Sequence, residues 1–311
     1  MSAASSHSPR APRGRLLSVV RRAALGVLAA LALAAAWVGV ASARRIGRVH
    51  PLPREASLPV RDDPAAIARG RHLTYVATCA LCHGEDLGGA VYAEMGPVGV
   101  VAGPNLTRGR GGRGAALTDT DWDRAVRHGL RRDGTSLIMM PSEAFYVLSD
   151  EDLAAIVAFA RHAPPVDREI PPTRFRPMGR ALLAAGKLPF LVAEKTPNVP
   201  HVASMPPART AAYGRYLADM GGCRGCHGFG LSGGAVGGPP GTPHAANLTR
   251  AGIPTWTEAD FVRAMRAGRR PDGSAIDPFM PWRTVGRMSD DELHAHWLYL
   301  RSVPPRATGN T

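Results

Sequence analysis

The feature that most constrains the fold of this 311-residue chain is a short motif that occurs twice. Cys-x-x-Cys-His occupies residues 79–83 and again residues 223–227, and these two copies contain all four cysteines of the chain. Each copy follows a Gly-Arg-x-Leu segment at the same distance, beginning at Gly70 and at Gly214. Both features recur 144 residues apart, which indicates that one structural unit is repeated.

The repeat continues downstream of both motifs in an unchanged order. The matching pairs are Asn105–Thr107 with Asn247–Thr249, Met140-Pro141 with Met280-Pro281, and Leu148–Leu153 with Met288–Leu293. Ser149 and Ser289 are candidate helix N-caps, because an acidic residue follows three positions later and apolar residues then recur at helical spacing. No clear alternating strand pattern occurs. We therefore predict an all-α protein with two tandem domains, a first unit at residues 63–163 and a second unit at residues 208–303.

Between the two units lies a proline-rich segment, residues 164–207, which we interpret as a linker. It contains one apolar patch, residues 181–193, which is too short and too interrupted to span a membrane. We expect this patch to pack against both units. Contact with the membrane or with a partner subunit is the alternative interpretation.

An uncharged apolar segment, residues 23–43, precedes the first unit. At 1.5 Å per residue it would be about 32 Å long as a helix, close to the thickness of a bilayer's hydrocarbon core. Arginine pairs flank it, and five arginines precede it, which predicts that residues 1–22 stay in the cytoplasm. A cleaved signal peptide is the alternative, since residues 41–43 resemble a cleavage site. We favour a retained anchor because the apolar run exceeds that of a typical signal.

The motif itself predicts a prosthetic group, because Cys-x-x-Cys-His is a signal for covalent attachment of c-type haem. Positions i, i+3 and i+4 share one face of a helical turn, so two thiols can bond to the vinyl groups of one haem while the histidine reaches its iron. We therefore predict two haem c groups. The residues that hold them are Cys79, Cys82 and His83 for one haem, and Cys223, Cys226 and His227 for the other.

Three other kinds of site also use pairs of cysteines. A zinc ion shared by all four would require the two units to dock through the metal. A redox dithiol of the thioredoxin type needs a βαβ pattern, which is missing. Structural disulfides suit an oxidising compartment. None of the three explains why a histidine follows each cysteine pair.

The repeat also suggests a sixth ligand for each iron. Met140 and Met280 precede prolines at equivalent positions, and a methionine thioether is a soft ligand that favours reduced iron. The fixed φ of the following proline helps to hold the methionine in place. Met139 is a rival to Met140, but it aligns with Phe279, so we prefer Met140 and Met280 as iron ligands together with His83 and His227.

These motifs resemble the class I cytochrome c domain, and the resemblance covers both units. The arrangement is similar to that of bacterial membrane-anchored dihaem cytochromes, including cytochrome subunits of periplasmic dehydrogenases. The resemblance implies a single-pass protein of the inner (cytoplasmic) membrane, with its haems on the periplasmic side. It also implies that Asn105 and Asn247 lie near the haems.

Ligation by histidine and methionine leaves no open position for a substrate, which predicts an electron carrier and no catalytic residue. The expected donor is a dehydrogenase or a respiratory complex, and the expected acceptor is an oxidase or a cytochrome. The alternative is an enzyme similar to dihaem peroxidases, in which one iron opens to substrate. A nucleic-acid partner is not expected despite the net charge of +13, because blocks of basic residues interleaved with aromatics are absent.

Overall fold

The computed structural model describes residues 13–53, 58–197, 199–237 and 241–309; residues 1–12 of the predicted cytoplasmic segment lie outside this range. In chain order the α-helices are α1 (Arg13–Ile46), α2 (Pro64–Val76), α3 (Cys79–His83), α4 (Asp119–His128), α5 (Ser142–Phe145), α6 (Asp150–His162), α7 (Pro177–Ala184), α8 (Ala211–Met220), α9 (Cys223–His227), α10 (Glu258–Ala267), α11 (Trp282–Val285) and α12 (Asp290–Ser302). Short 3₁₀ turns lie at Gly114–Ala116 and Val192–Glu194. Helices α2–α6 of the first unit recur in the same order as α8–α12 of the second.

The helix starts follow the caps that the sequence predicts. The Ser149 hydroxyl accepts a hydrogen bond from the Asp152 amide at the start of α6. Ser289 and Glu292 form a reciprocal capping box at the start of α12, and Thr118 with Asp121 does the same for α4. Such caps satisfy amides that have no partner within the helix. The predicted mainly helical fold is confirmed.

A small antiparallel sheet was not predicted. It consists of β1 (Ala90–Glu94), β2 (Gly99–Gly103) and β3 (Arg174–Phe175), in the order β1-β2-β3, so the linker supplies its third strand. Strand β2 is buried on both faces except at Ala102, and a short apolar run buried in this way shows no alternation. Strand β1 carries a bulge between Val91 and Ala93, which interrupts its period of two.

The centre of each unit is a close crossing of its first and last helices. Helix α2 packs against α6 at Gly70, and α8 packs against α12 at Gly214. A Cβ atom at either glycine would overlap the backbone carbonyl of the opposite helix, that of Ala155 or of Ala295. The need for a bare backbone at this crossing explains why Gly-Arg-x-Leu recurs at the same distance before each motif.

The two units pack together through a polar cluster with approximate two-fold symmetry. His72 Nε2 of α2 lies 2.7 Å from Glu292 Oε2 of α12. At the equivalent positions, the Tyr216 hydroxyl of α8 donates to Asp152 Oδ2 of α6 at 2.8 Å. Arg69 joins the two halves, since its guanidinium lies 3.1 Å from Asp152 Oδ1 and 3.5 Å from Glu292 Oε1.

This cluster predicts that packing of the two units weakens in acid. Burial alone would raise the pKa of Glu292, but hydrogen bonds from His72 and the Ser289 amide, with the charge of Arg69, lower it below its ordinary value. A lowered carboxyl pKa stabilises the fold above the unfolded pKa of about 4.3, and this stability is lost as pH falls through the folded value. We expect Glu292→Gln to cost about 1–3 kcal/mol at pH 7 and to flatten the pH dependence of urea unfolding below about pH 4.3.

The control for that experiment is Asp291→Asn, because the Asp291 side chain is 69% exposed and pairs with Arg209 at the surface. Surface ion pairs contribute about 0–1 kcal/mol, so this variant should unfold like the parent protein. Equal effects of the two substitutions would show that Glu292 has no special role between the units.

The linker packs back on the first unit and on the end of α1. Arg45 of α1 donates a hydrogen bond to the carbonyl of Leu183 at 2.7 Å and pairs with Glu194 at 2.7 Å. Leu183, Leu191 and Val192 are buried there. The apolar patch 181–193 therefore contacts the first unit and α1, whereas we expected it to pack against both units.

One helix among the described residues, Leu17–Ile46 within α1, is long and apolar enough to cross a membrane. Its apolar side chains are exposed rather than packed on either unit, for example Leu33 and Trp37. This exposure is consistent with a membrane anchor, because a contiguous apolar surface of this size is rarely left in water.

Candidate haem sites

The first motif is held on a single short helical turn. Thr78, just before α3, has a φ of 57°, in the left-handed region, so the chain turns sharply between α2 and α3. His83 at the end of this turn is 6% exposed, and its Nδ1 lies 2.9 Å from the carbonyl oxygen of Pro104. Burial lowers the pKa of His83, against the opposing effect of this hydrogen bond. A neutral ring that donates from Nδ1 keeps the lone pair of Nε2 for a metal.

His83 opens onto a cavity whose walls combine three ligand chemistries with apolar side chains. Cys79, His83 and Met140 all line it, and the rest of the wall includes Trp122 and Ile156. A haem is a flat and largely apolar ring that needs a thiol at its edge and donor atoms for its iron, and these residues fit it. The structure thus brings together Cys79 and Met140, which lie 61 positions apart in the chain.

The second motif repeats this geometry. Gly222 takes the place of Thr78 with a φ of 71°, so α9 follows α8 at the same sharp turn. His227 is 6% exposed, and its Nδ1 lies 2.7 Å from the carbonyl oxygen of Ala246. Cys223 and Met280 both pack against the hydrophobic core. The sharp turn, the burial of the histidine and the backbone carbonyl beside its Nδ1 are therefore the same in both units.

The cysteines are poorly suited to thiolate chemistry. Burial raises the pKa of Cys79 and of Cys223 to about 12, so both stay as thiols at neutral pH. A redox dithiol needs a lowered thiol pKa, which makes that alternative unfavourable here.

The two Asn-Leu-Thr segments orient the histidines. Asn105 Oδ1 accepts hydrogen bonds from the amide and the hydroxyl of Thr107 at 2.9 and 2.8 Å, and Asn105 Nδ2 donates to the carbonyl of Val166 at 2.7 Å. This clamp holds the loop in which Pro104 accepts the hydrogen bond from His83. The two asparagines therefore act through the backbone partners of the histidines.

We expect Asn247→Ala to destabilise the second unit by about 1–3 kcal/mol, since buried partners lose their hydrogen bonds. Asn247 Oδ1 accepts from the Thr249 amide at 2.9 Å, and Nδ2 donates to the carbonyl of Arg306 at 2.8 Å. Thermal unfolding followed by circular dichroism would measure the loss. Asn105→Ala breaks the matching bonds and should cost a similar amount; an unchanged melting temperature in both variants would contradict the clamp.

The two loops that carry the methionines differ in how far other segments of the chain cover them. In the first unit, the His50 amide donates to the carbonyl of Gly134 at 2.9 Å, and the Met139 amide donates to the carbonyl of Phe190 at 2.9 Å. The segment after α1 and the linker thus lie over this loop. The equivalent Gly273 of the second unit is exposed, and no atom of the described residues lies within 4 Å of where its Cβ would stand. Phe279 beside Met280 is 52% exposed.

One residue of the second site was missed by the sequence analysis. His296 has no histidine counterpart in the first unit, so it drew no attention as a ligand. In the structure it is 3% exposed, and its ring centroid lies 5.6 Å from that of Phe261. Aligning the capped helices from Ser149 and Ser289 would have placed it opposite Ile156, a residue of the first cavity wall.

Comparison with known proteins agrees with this geometry. Residues 65–159 match the family model described as cytochrome c oxidase, cbb3-type, subunit III, and residues 211–304 match the cytochrome c model. The fructose dehydrogenase cytochrome subunit of Gluconobacter japonicus is 30% identical over 280 residues, which cover 83% of this chain and 55% of that protein. The gluconate 2-dehydrogenase cytochrome c subunit of Pantoea cypripedii is 27% identical over 79% of this chain and 62% of its own length.

A shorter relative matches almost end to end. The diheme cytochrome c-type protein of Cereibacter sphaeroides is 26% identical over 79% of this chain and 91% of its own length. By contrast, the chain spans little more than half the length of the dehydrogenase subunits that it matches. Two family models, two copies of the attachment motif and two equivalent sites agree, and the chain belongs to the class I cytochrome c family as a dihaem protein with two covalent haem c groups.

Proposed function

We propose that this protein is an electron relay that carries electrons from a dehydrogenase to an oxidase or another cytochrome. The observation that carries the proposal is the duplicated site. Cys79, His83 and Met140 line one apolar cavity in the first unit, and in the second unit His227 is buried while Cys223 and Met280 pack against the apolar core. Relatives named as cytochrome subunits of fructose, alcohol and gluconate dehydrogenases support a dehydrogenase as the donor.

Each residue of the sites has a role in this proposal. The bound haem supplies a one-electron couple of its iron. Cys79 and Cys82, like Cys223 and Cys226, would anchor the ring. The imidazole ligand would come from His83 or His227, whose Nδ1 hydrogen bond fixes the ring orientation and leaves Nε2 for the iron.

The methionines complete the ligand sets. Met140 and Met280 would supply the thioethers, which favour the reduced iron and raise its potential. Apolar walls such as those of the first cavity would keep water away from a bound haem, and each site would then change charge with its ligands retained. This arrangement suits an electron carrier and leaves no position for a substrate.

We also propose a location at the inner membrane, with the haems on the periplasmic side. In this proposal residues 23–43 within α1 cross the bilayer once, and residues 63–163 and 208–303 form two domains joined by the linker 164–207. Attachment of haem c outside the cytoplasm agrees with the five arginines that precede the apolar segment 23–43. Because the linker covers the first methionine loop, a soluble partner would meet the open loop of the second unit.

The first test is an absorption spectrum of the reduced full-length protein in detergent, before and after carbon monoxide is added. Two covalent haems per chain, with c-type bands that do not move, are expected when both irons keep strong sixth ligands. A shift in about half of the haem would indicate one open iron and favour the peroxidase-like alternative. Loss of all haem on denaturation would overturn the proposal, because thioether-bound haem stays with the chain.

A further inference from the structure

The two haem cavities differ at one position of their walls. Helices α6 and α12 start at equivalent caps, Ser149 and Ser289, so His296 of α12 occupies the position of Ile156 in α6. Ile156 lines the first cavity together with His83. An apolar side chain in the first site is therefore replaced by an imidazole in the second.

Contacts within the second unit place His296 in the corresponding wall. Phe261, whose ring centroid is 5.6 Å from that of His296, is the counterpart of Trp122, which also lines the first cavity. His296 is 3% exposed, and such burial favours the neutral form of an imidazole. His296 is thus a buried imidazole at the position that Ile156 occupies in the wall of the first cavity.

This imidazole is not held by a hydrogen bond at Nδ1. That atom is buried, and no partner for it exists among the described residues. A buried polar atom without a hydrogen bond is destabilising, and each such atom in a native protein calls for an explanation. A role toward the haem would provide one.

We propose that His296, as a polar residue of the cavity wall, holds the reduction potential of the second haem below the value that an apolar residue would give. The proposal rests on the proposed function, since it requires a haem ligated by His227. The proposal attributes a difference in reduction potential between the two haems to one residue of the cavity wall. The attachment and ligand residues of the two sites are of the same types.

The direction follows from charge. Oxidised iron carries one more positive charge than reduced iron, so an apolar wall disfavours the oxidised state and raises the potential. A neutral imidazole has one nitrogen with a lone pair and one that carries a proton. Because no hydrogen bond fixes the proton on Nδ1, the ring can adopt the tautomer that directs its lone pair toward the positive charge. The oxidised state is stabilised, and the potential falls.

The test is a spectroelectrochemical titration of the full-length protein in detergent at neutral pH. His296→Ile copies the first site and should raise one of the two midpoint potentials while the other stays in place. Ile156→His is the reciprocal change and should lower the other potential. His296→Gln keeps a polar group in the wall and should stay closer to the parent protein than His296→Ile does.

The outcomes separate this inference from the proposed function. Haem content per chain is measured first in every variant, and absence of covalent haem in the parent protein would defeat the proposed function itself. If haem is present and neither His296→Ile nor Ile156→His moves a potential, the role of His296 is wrong and the relay stands. If His296→Ile does not fold, Ile156→His alone decides, because it tests the same effect in the other unit.

Discussion

Alanine at Gly214 is expected to destabilise the second unit strongly. The added Cβ would overlap the carbonyl oxygen and carbon of Ala295 in α12, which are backbone atoms and cannot rotate away as a side chain can. Helices α8 and α12 would have to separate along the contact that forms the centre of the unit. Overpacking of a core costs about 1–3 kcal/mol when side chains can adjust, and we expect at least the upper value here.

Thermal unfolding by circular dichroism would measure this effect. A loss of about 3 kcal/mol lowers the melting temperature of a domain of this size by roughly 12–24 °C. Gly70→Ala should act in the same way on the first unit, since its Cβ would meet Ala155. Gly225→Ala is the matched control, because within the part of the chain that the structure describes no atom lies within 4 Å of its Cβ position. A melting temperature for Gly214→Ala equal to that of the control would refute the close crossing.

Met280→Ala is expected to open the second iron. Loss of the thioether leaves His227 as the remaining proposed ligand from the chain, so the reduced protein should bind carbon monoxide at about half of its haem. The potential of that haem should fall by the order of tenths of a volt, because axial ligands set haem potentials over a range of about 0.8 V. Absorption spectra with and without carbon monoxide, and a redox titration, measure the two effects.

The control is Met178→Ala, because Met178 lies on α7 and is 50% exposed, away from both motifs. In the first unit, Met140→Ala should open the iron and Met139→Ala should leave it closed, which decides between the two neighbours. A Met280→Ala protein that still excludes carbon monoxide would show that another side chain ligates the iron.

Local signals in this chain were predictable because each acts over a few residues. Ser149 caps α6 by bonding to an amide three positions away, and the sequence pattern of that bond is visible without a structure. The Cys-x-x-Cys-His motif needs only one helical turn to present its three side chains. The order of the helices followed from the repeat, and the structure confirms the mainly helical fold.

The unpredicted features depend on contacts between distant segments. Strand β3 forms only because residues 174–175 of the linker return to β2, some 70 positions earlier in the chain. The bond between Tyr216 and Asp152 joins two units that the repeat describes as separate. His296 has no histidine counterpart in the repeat, and only the packing of α12 against α10 places it beside Phe261.

The amino-acid sequence by itself determined that this protein has two equivalent helical units, each with its own haem-attachment motif, and one apolar segment ahead of them. Those properties follow from the order of residues along the chain, from the helix-capping residues and from the length of one uncharged apolar segment. The tertiary structure decided how the surroundings of the two sites differ: the linker covers the first methionine loop and leaves the second open, and His296 packs beside Phe261 in the second unit. Burial and cover are set by which distant segments pack together, and no short stretch of sequence contains that information.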